Sequence, residues 1–313
     1  MSQGIPFVSV IVPTRNPASA LQRCIMSIGR QDYPADRLEV VVVNDGGVPL
    51  PDEITRSRAP LGISVIDVPR GGPAAARNAG VAASRGDVMA FTDDDCAAEP
   101  GWLRAMVRRL QQNAEAVIGG RVVNALPDNR YSRASHHLIS FLYHYYHEEQ
   151  RGALPFFTTN NLAVRADVFA RVGAFDAAFP FASEDRDWSD RCLHAGVPLV
   201  YAREAVVHHA HALRFGSFLH QHFRYGEGAR RFHRSRAQRR GISVQLERSA
   251  FYADMLRAPF TAADPEALRV SALLAVSQAV GAIGWACQAL RDMSSGVRGP
   301  AQPRGVGGRD ASD

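Results

Sequence analysis

Apolar residues in the first hundred positions fall into short solid runs closed by polar residues or glycine, the pattern of strands buried on both faces. Phe7 to Val12 is the first run and ends at Pro13. Leu38 to Val43 is the second, closed by Asn44-Asp45-Gly46-Gly47, and Ile63 to Val68 is the third. Val88 to Thr92 is the fourth and stops at Asp93-Asp94-Asp95. Between them the period changes to that of a helix. Leu21, Ile25 and Ile28 share one helical face, with Asn16-Pro17 placed as N-cap and first helical residue. Pro73 opens an alanine-rich helix. Strands alternating with helices predict a parallel sheet with right-handed crossovers.

In such sheets ligands sit outside the carboxyl ends of the strands. The polar punctuation falls at those ends: Thr14-Arg15-Asn16 after the first strand, Asp45 after the second, three aspartates after the fourth. Their convergence on one rim predicts a site there.

From about Ala116 the pattern changes. Val117 to Val123 reads as a strand, Tyr131 to His147 as an aromatic, histidine-rich helix, and Thr158 to Val164 as another strand. A turn at Phe175-Asp176, a helix from Trp188 to His194, and short strands at Val197 to Tyr201 and Ala205 to His208 follow. The expected organisation is a first half over 1–115, a second half of the same domain over 116–213, a basic and apolar helical region over 214–292, and a Gly-, Ser-, Pro- and Arg-rich disordered tail over 293–313.

Composition narrows the chemistry. The 313 residues suffice for one large α/β domain with an appendage, and 46% hydrophobic against 21% charged residues is an ordinary globular balance. The net charge is +5, and every one of the 36 basic residues is arginine. Lysine Schiff-base catalysis and a GKS/GKT phosphate loop are thereby excluded, and arginine must carry any phosphate recognition. Cys24, Cys96, Cys192 and Cys287 form no CxxC pair, so neither a disulfide framework nor a zinc knuckle is indicated. Pro6 and Pro13 break the only early apolar run, and no basic segment precedes it, so a cytoplasmic protein is expected.

The sharpest chemical signal is Phe91-Thr92-Asp93-Asp94-Asp95-Cys96. Three adjacent carboxylates at a strand end repel one another and require a compensating cation. Mg²⁺ or Mn²⁺, with a diphosphate completing the coordination, is the natural partner.

Four motifs in order, VSVIVPTRN, VVVNDGG, FTDDDC and SEDRDW, resemble those of the family-2 inverting glycosyltransferases, and the likeness runs from Val8 to Gly228. The resemblance implies a GT-A fold: an α/β, Rossmann-like, mostly parallel sheet flanked by helices, with an acceptor-binding second half and a helical C-terminal appendage. It implies a nucleoside-diphosphate sugar as donor and a glycan, lipid-linked or small-molecule acceptor. Pro13, Thr14, Arg15 and Asn16 then lie against base and ribose, Asp45 hydrogen-bonds the nucleotide, and Arg77 in GGPAAARNAG adds charge beside the diphosphate. Asp93 and Asp94 contact the donor. Asp93-x-Asp95 is the metal motif, with the choice between Asp94 and Asp95 as the direct ligand open, and His209 matches a metal-holding histidine. Asp185 matches the base that takes the acceptor proton, with Glu184 beside it. Asn160, Asn161 and Trp188 fall on the acceptor side. Asp187 and Asp190 lie nearby, where a helix N-terminus also favours acids.

Two other readings fit less well. A sugar-1-phosphate nucleotidyltransferase needs a glycine-rich triphosphate loop with a basic residue, which PTRNPASA is not. A nucleic-acid binder is suggested by the arginines of 214–248 but leaves the acidic strand ends without a purpose, so no nucleic-acid partner is expected. That stretch suits an anionic membrane surface better. The apolar segment from Ala267 to Leu290 after it approaches the ~20 residues a span needs, yet carries Arg269, Ser277, Gln278 and Gln288. A spanning, a surface-lying and a domain-packed helix are all open, and a peripheral place on the cytoplasmic face of the plasma membrane is expected.

Overall fold

The computed structural model describes residues 4–15, 18–51, 54, 62–152, 154–241, 244 and 247–294. The cap expected at Asn16-Pro17 and the tail after Ser294 lie outside them.

Strands and helices alternate through the first half: β1 (Val8–Thr14), α1 (Ala18–Gly29), β2 (Leu38–Asp45), β3 (Gly62–Val68), α2 (Pro73–Ala83), β4 (Val88–Thr92), β5 (Cys96–Ala98) and α3 (Trp102–Gln112). The second half holds β6 (Val117–Asn124), α4 (Arg130–Tyr143), β7 (Asn161–Arg165), α5 (Ala166–Val172), α6 (Glu184–His194) and β8 (Leu199–His209). Three helices follow: α7 (Phe215–Arg240), α8 (Ser249–Thr261) and α9 (Ala267–Ser294). Among the described residues the strands form one sheet in the order β3-β2-β1-β4-β7-β6-β8-β5.

The sheet is mixed, which refines the expectation of a parallel one. β1 pairs in parallel with β2 and β4, β2 with β3, and β6 with β8. β7 inserts antiparallel between β4 and β6, and β5 pairs antiparallel with β8. The two short strands expected at 197–201 and 205–208 are one strand, β8, whose register shifts against β6 at Gly120/Arg121.

Side chains alternate across the sheet. Val8, Val10 and Val12 pack with Leu21, Ile25 and Ile28 of α1 and Trp102, Leu103 and Met106 of α3 on one face. Ile11 and Phe91 pack with Val168, Phe169, Trp188 and Cys192 of α5 and α6 on the other. The runs in β1, β2 and β4 are buried because helices cover both faces, whereas the third run forms the edge strand β3, whose residues stay partly or fully exposed.

The arginine-rich run forms α7, and its charges are largely met inside the protein. Arg236, Arg239 and Arg240 reach Asp190 on α6, each at 3.0 Å, and Arg239 also reaches Asp187 at 2.7 Å. Arg230 and Arg234 pair with Asp292 of α9. α9 packs along α7 so closely that a Cβ on Gly226 would collide with the Gly281 carbonyl, and one on Gly284 with that of Phe223. Its inner face buries Val270, Leu274, Ser277, Gln288 and Asp292, while Leu268, Val276, Ile283, Leu290 and Met293 face outward.

Candidate active site

The topology gathers the expected residues on one rim. β1, β2, β4, β6 and β8 run the same way, so Thr14, Asp45, Thr92, Asn124 and His209 end on the same edge. The two reversed strands begin there. Thr92 is opposite Asn161 at the start of β7, and Cys96 at the start of β5 is opposite His209. A cavity of about 1410 Å³ opens along this rim, lined among others by Pro13, Thr14, Arg15, Asp45, Arg77, Asp93, Asp94, Asp95, Asn160, Glu184, Asp185 and His209.

The β5–β8 register brings Asp95, the residue before β5, to the end of β8. The amide of Ala210 donates to the Asp95 carbonyl at 2.9 Å. The Asp95 carboxylate lies 3.1 Å from Nε2 of His209 and 3.3 Å from Nδ1 of His211. One ligand atom from each of the three lies within 4.8 Å of the others, the spacing of a cation site. Burial raises the Asp95 pKa, but the hydrogen bonds to His209 and then His211 outweigh it and hold the carboxyl below its ordinary range. His211, half-buried, is the member that sequence reading left unassigned, and its Nε2 is oriented by Oε1 of Gln221 at 2.7 Å.

The other two aspartates are placed differently. Asp94 accepts from the Thr14 hydroxyl at 2.6 Å. Burial, then Asp95 and Asp93, push it up to about 6 against that hydrogen bond. Asp93 accepts from Nη2 of Arg77 at 2.6 Å. Arg77 is buried, and its Nη1 donates to Oε1 of Glu184 at 3.0 Å. One guanidinium thus ties α2 to the end of β4 and the start of α6. Asp45 accepts from the amides of Gly71 at 2.6 Å and Gly72 at 3.0 Å, holding the loop that opens α2. Gly72 there has φ 84°, and a Cβ would meet the Pro180 carbonyl oxygen at 2.6 Å.

Ser183 precedes α6 with φ 74°, a left-handed conformation rare for a non-glycine residue. The turn delivers Glu184 and Asp185 to the cavity at the helix N-terminus, where the helix dipole favours anions. Burial first, then the Asp185 charge, push Glu184 up to about 7, with Arg77 opposing. Burial also raises Asp185 against the lowering influence of Arg186.

Two acceptor-side expectations are corrected. Trp188 has no exposure and packs between Phe169 and Phe175, with Nε1 donating to the Gly173 carbonyl at 2.8 Å. Asn161 is likewise fully buried. Its Oδ1 accepts from Trp102 Nε1 at 2.8 Å, and its Nδ2 donates to the carbonyls of Arg121 and Ala205. Its amide satisfies polar groups at the β6–β8 register shift, leaving Asn160 as the asparagine on the cavity wall. Asp187 and Asp190 face α7 rather than solvent.

A mixed sheet of this order, with an acidic strand end facing two histidines, defines a GT-A glycosyltransferase. Residues 9–173 match the model of glycosyl transferase family 2, and the chain belongs to that family. Over 231 residues, 73% of this chain and 74% of the other, it is 33% identical to glycosyltransferase AglE of Haloferax volcanii. It is 30% identical to the pre-mycofactocin glycosyltransferase of Mycobacterium tuberculosis over 71% of this chain but only 46% of that protein. Among solved structures, mannosyltransferase PcManGT from Pyrobaculum calidifontis, in complex with GDP-Man and Mn²⁺, aligns over 94% of this chain and 81% of its own, with a TM-score of 0.58 and 21% identity.

Proposed function

We propose that this glycosyltransferase is inverting and metal-dependent, and that it moves a sugar from a nucleoside diphosphate onto an acceptor hydroxyl deprotonated by Asp185. The observation that carries the reading is the Arg77 bridge. It ties α6, which carries Asp185, to the aspartate run that carries Asp95. Base and cation site are thereby held on one rigid frame, as a displacement across an anomeric carbon requires.

Pro13, Thr14, Arg15 and Asp45 form the nucleotide side. Asp45 acts there by holding the Gly71-Gly72 loop, and Asn160 and Glu184 face the acceptor. Asp95, His209 and His211 would hold the cation. One carboxylate oxygen with two imidazole nitrogens suits Mn²⁺ better than Mg²⁺, which prefers oxygen alone. A bound cation would offset the charge gathering on the departing diphosphate. Asp185 accepts the acceptor proton, the acceptor oxygen bonds the anomeric carbon, and the bond from that carbon to the diphosphate breaks with its electron pair leaving on the nucleotide.

A screen of nucleotide sugars with and without Mn²⁺, followed by NMR of the product's anomeric configuration, tests this. Mn²⁺-dependent consumption of a nucleotide sugar with inversion is expected. Retention of configuration, or full turnover in excess EDTA, would overturn it.

The exposed residues Leu268, Val276, Ile283, Leu290 and Met293 support a peripheral membrane placement by way of the outer face of α9. The protein is expected to co-float with liposomes, and Ile283→Glu to weaken that association. Indifference of the wild-type protein to liposomes would overturn the placement.

A further inference from the structure

The cavity does not end at the residues of transfer. Past Asp185 it continues between α4, α7, α8 and α9 into a lobe lined by Leu142, Tyr146, Phe156, Phe251, Met255 and Trp285. All but Trp285, which α9 contributes, belong to the aromatic and aliphatic packing between α4 and α8, and the Glu247 carboxylate on the same wall accepts from the Tyr146 hydroxyl at 2.9 Å. Gln278, Gly281 and Ala282 of α9 line the same cavity, and Ala282 is exposed next to the outward-facing Ile283. The lobe therefore meets the surface beside the apolar face of α9.

Arg186 stands at the junction of the two parts. It follows Asp185 directly, lines the cavity, and holds its guanidinium 4.4 Å from the centroid of the Phe156 ring. Among the described residues no carboxylate lies within ion-pairing distance of that guanidinium, in a protein whose other cavity arginine beside Asp185, Arg77, is met by two carboxylates. An arginine over an aromatic ring at the mouth of an apolar lobe offers its donors to an anion, and its planar fork suits phosphate.

We infer that the acceptor is a lipid-linked saccharide, with its sugar hydroxyl at Asp185, its phosphate or diphosphate linker facing Arg186, and its chain in the lobe. The sequence of chemistries along the cavity wall (carboxylate, guanidinium, aromatic and aliphatic surface) matches the sequence along such a molecule. Neither a free glycan nor a small polar acceptor uses the lobe. This inference rests on the assignment of Asp185 to the acceptor side.

The test is isothermal titration of the full-length protein with three probes carrying the same monosaccharide, used below their micelle concentrations. One is joined through diphosphate to an undecyl chain, one through diphosphate to methyl, and one is the undecyl glycoside without phosphate. Each methylene taken from water strengthens binding about three- to fourfold, so the undecyl diphosphate should bind at least about tenfold tighter than the methyl diphosphate. Met255→Trp should fill the lobe and bring the two within about twofold of each other on the same scale. Arg186→Gln should weaken both diphosphates while leaving the undecyl glycoside alone, and Arg186→Lys should restore part of the loss. Equal affinity of the wild type for the undecyl and methyl diphosphates overturns the inference, as does an equal loss for all three probes in Arg186→Gln. These are binding measurements made without donor. Failure to consume any nucleotide sugar would sink the transfer assignment separately.

Discussion

Nη1 of Arg77 donates to Oε1 of Glu184 at 3.0 Å, joining α2 to the turn that presents Asp185. Its other terminal nitrogen is bonded to Asp93, so one buried cation sits between two carboxylates. Removing it strands both. Arg77→Met is expected to cost about 3–5 kcal/mol of stability, because breaking a buried pair leaves uncompensated charge. The double variant Arg77→Met/Glu184→Gln should cost less than the sum of the singles by about 0.5–3 kcal/mol. Denaturant unfolding of the four proteins measures this, and strict additivity would show that the pair is not coupled.

The candidate cation site gives a prediction that separates neighbouring histidines. His209→Ala and His211→Ala should each weaken Mn²⁺ binding by at least the roughly 10- to 100-fold that follows loss of supporting partners at metal sites. His208 pairs with Glu99 outside the cavity, so His208→Ala should leave Mn²⁺ binding unchanged. Isothermal titration of the three variants reads the difference, and an effect of His208→Ala equal to the others would mean that the site is misplaced.

The Glu184–Asp185 pair predicts a pH dependence. Burial raises both carboxyls above their ordinary values, so the folded state retains protons that the unfolded chain releases. Stability contributed by the pair is then present below the unfolded pKa values and lost as pH rises through the folded ones. With Asp185 as the proposed base, activity should run the other way, because only an ionised carboxylate accepts a proton. Asp185→Asn should therefore melt above the wild type at pH 8, with the gap closing toward pH 4. Thermal melts across that range check the sign, and a variant less stable than wild type at pH 8 contradicts it.

A fourth prediction concerns α7. Asp190 is buried and meets Arg236, Arg239 and Arg240. Asp190→Ala should destabilise by about 3–5 kcal/mol. Once the variant is folded at low temperature, its Mn²⁺ affinity should be unchanged. A loss of Mn²⁺ binding with stability intact would place Asp190 in the site instead.

The strands of the first half were legible because β1, β2 and β4 are covered on both faces and read as solid apolar runs. The rim residues were legible because polar groups stop those runs. The pairing partners were not. β5 has three residues and exists only by its register with β8, so nothing local marks it, and the role of His211 depends on that register. Likewise the charges of α7 look free in the sequence because Asp187 and Asp190 meet them only through the fold, some fifty positions away. Trp188 and Asn161 were misplaced for a related reason. An aromatic ring or an amide beside a functional motif reads the same whether it faces the cavity or, as here, satisfies the core.

The central claim is that Asp185 takes the acceptor proton while the aspartate–histidine cluster holds the donor's cation. Asp185→Asn keeps the side chain's volume and removes its basicity. Pre-steady-state transfer by this variant, with Mn²⁺ and the preferred nucleotide sugar, should fall about 10²- to 10⁴-fold, or roughly 3–5.5 kcal/mol of barrier, while donor affinity stays within about twofold. Near-normal transfer by the variant, or a matching loss of donor affinity, would contradict the account.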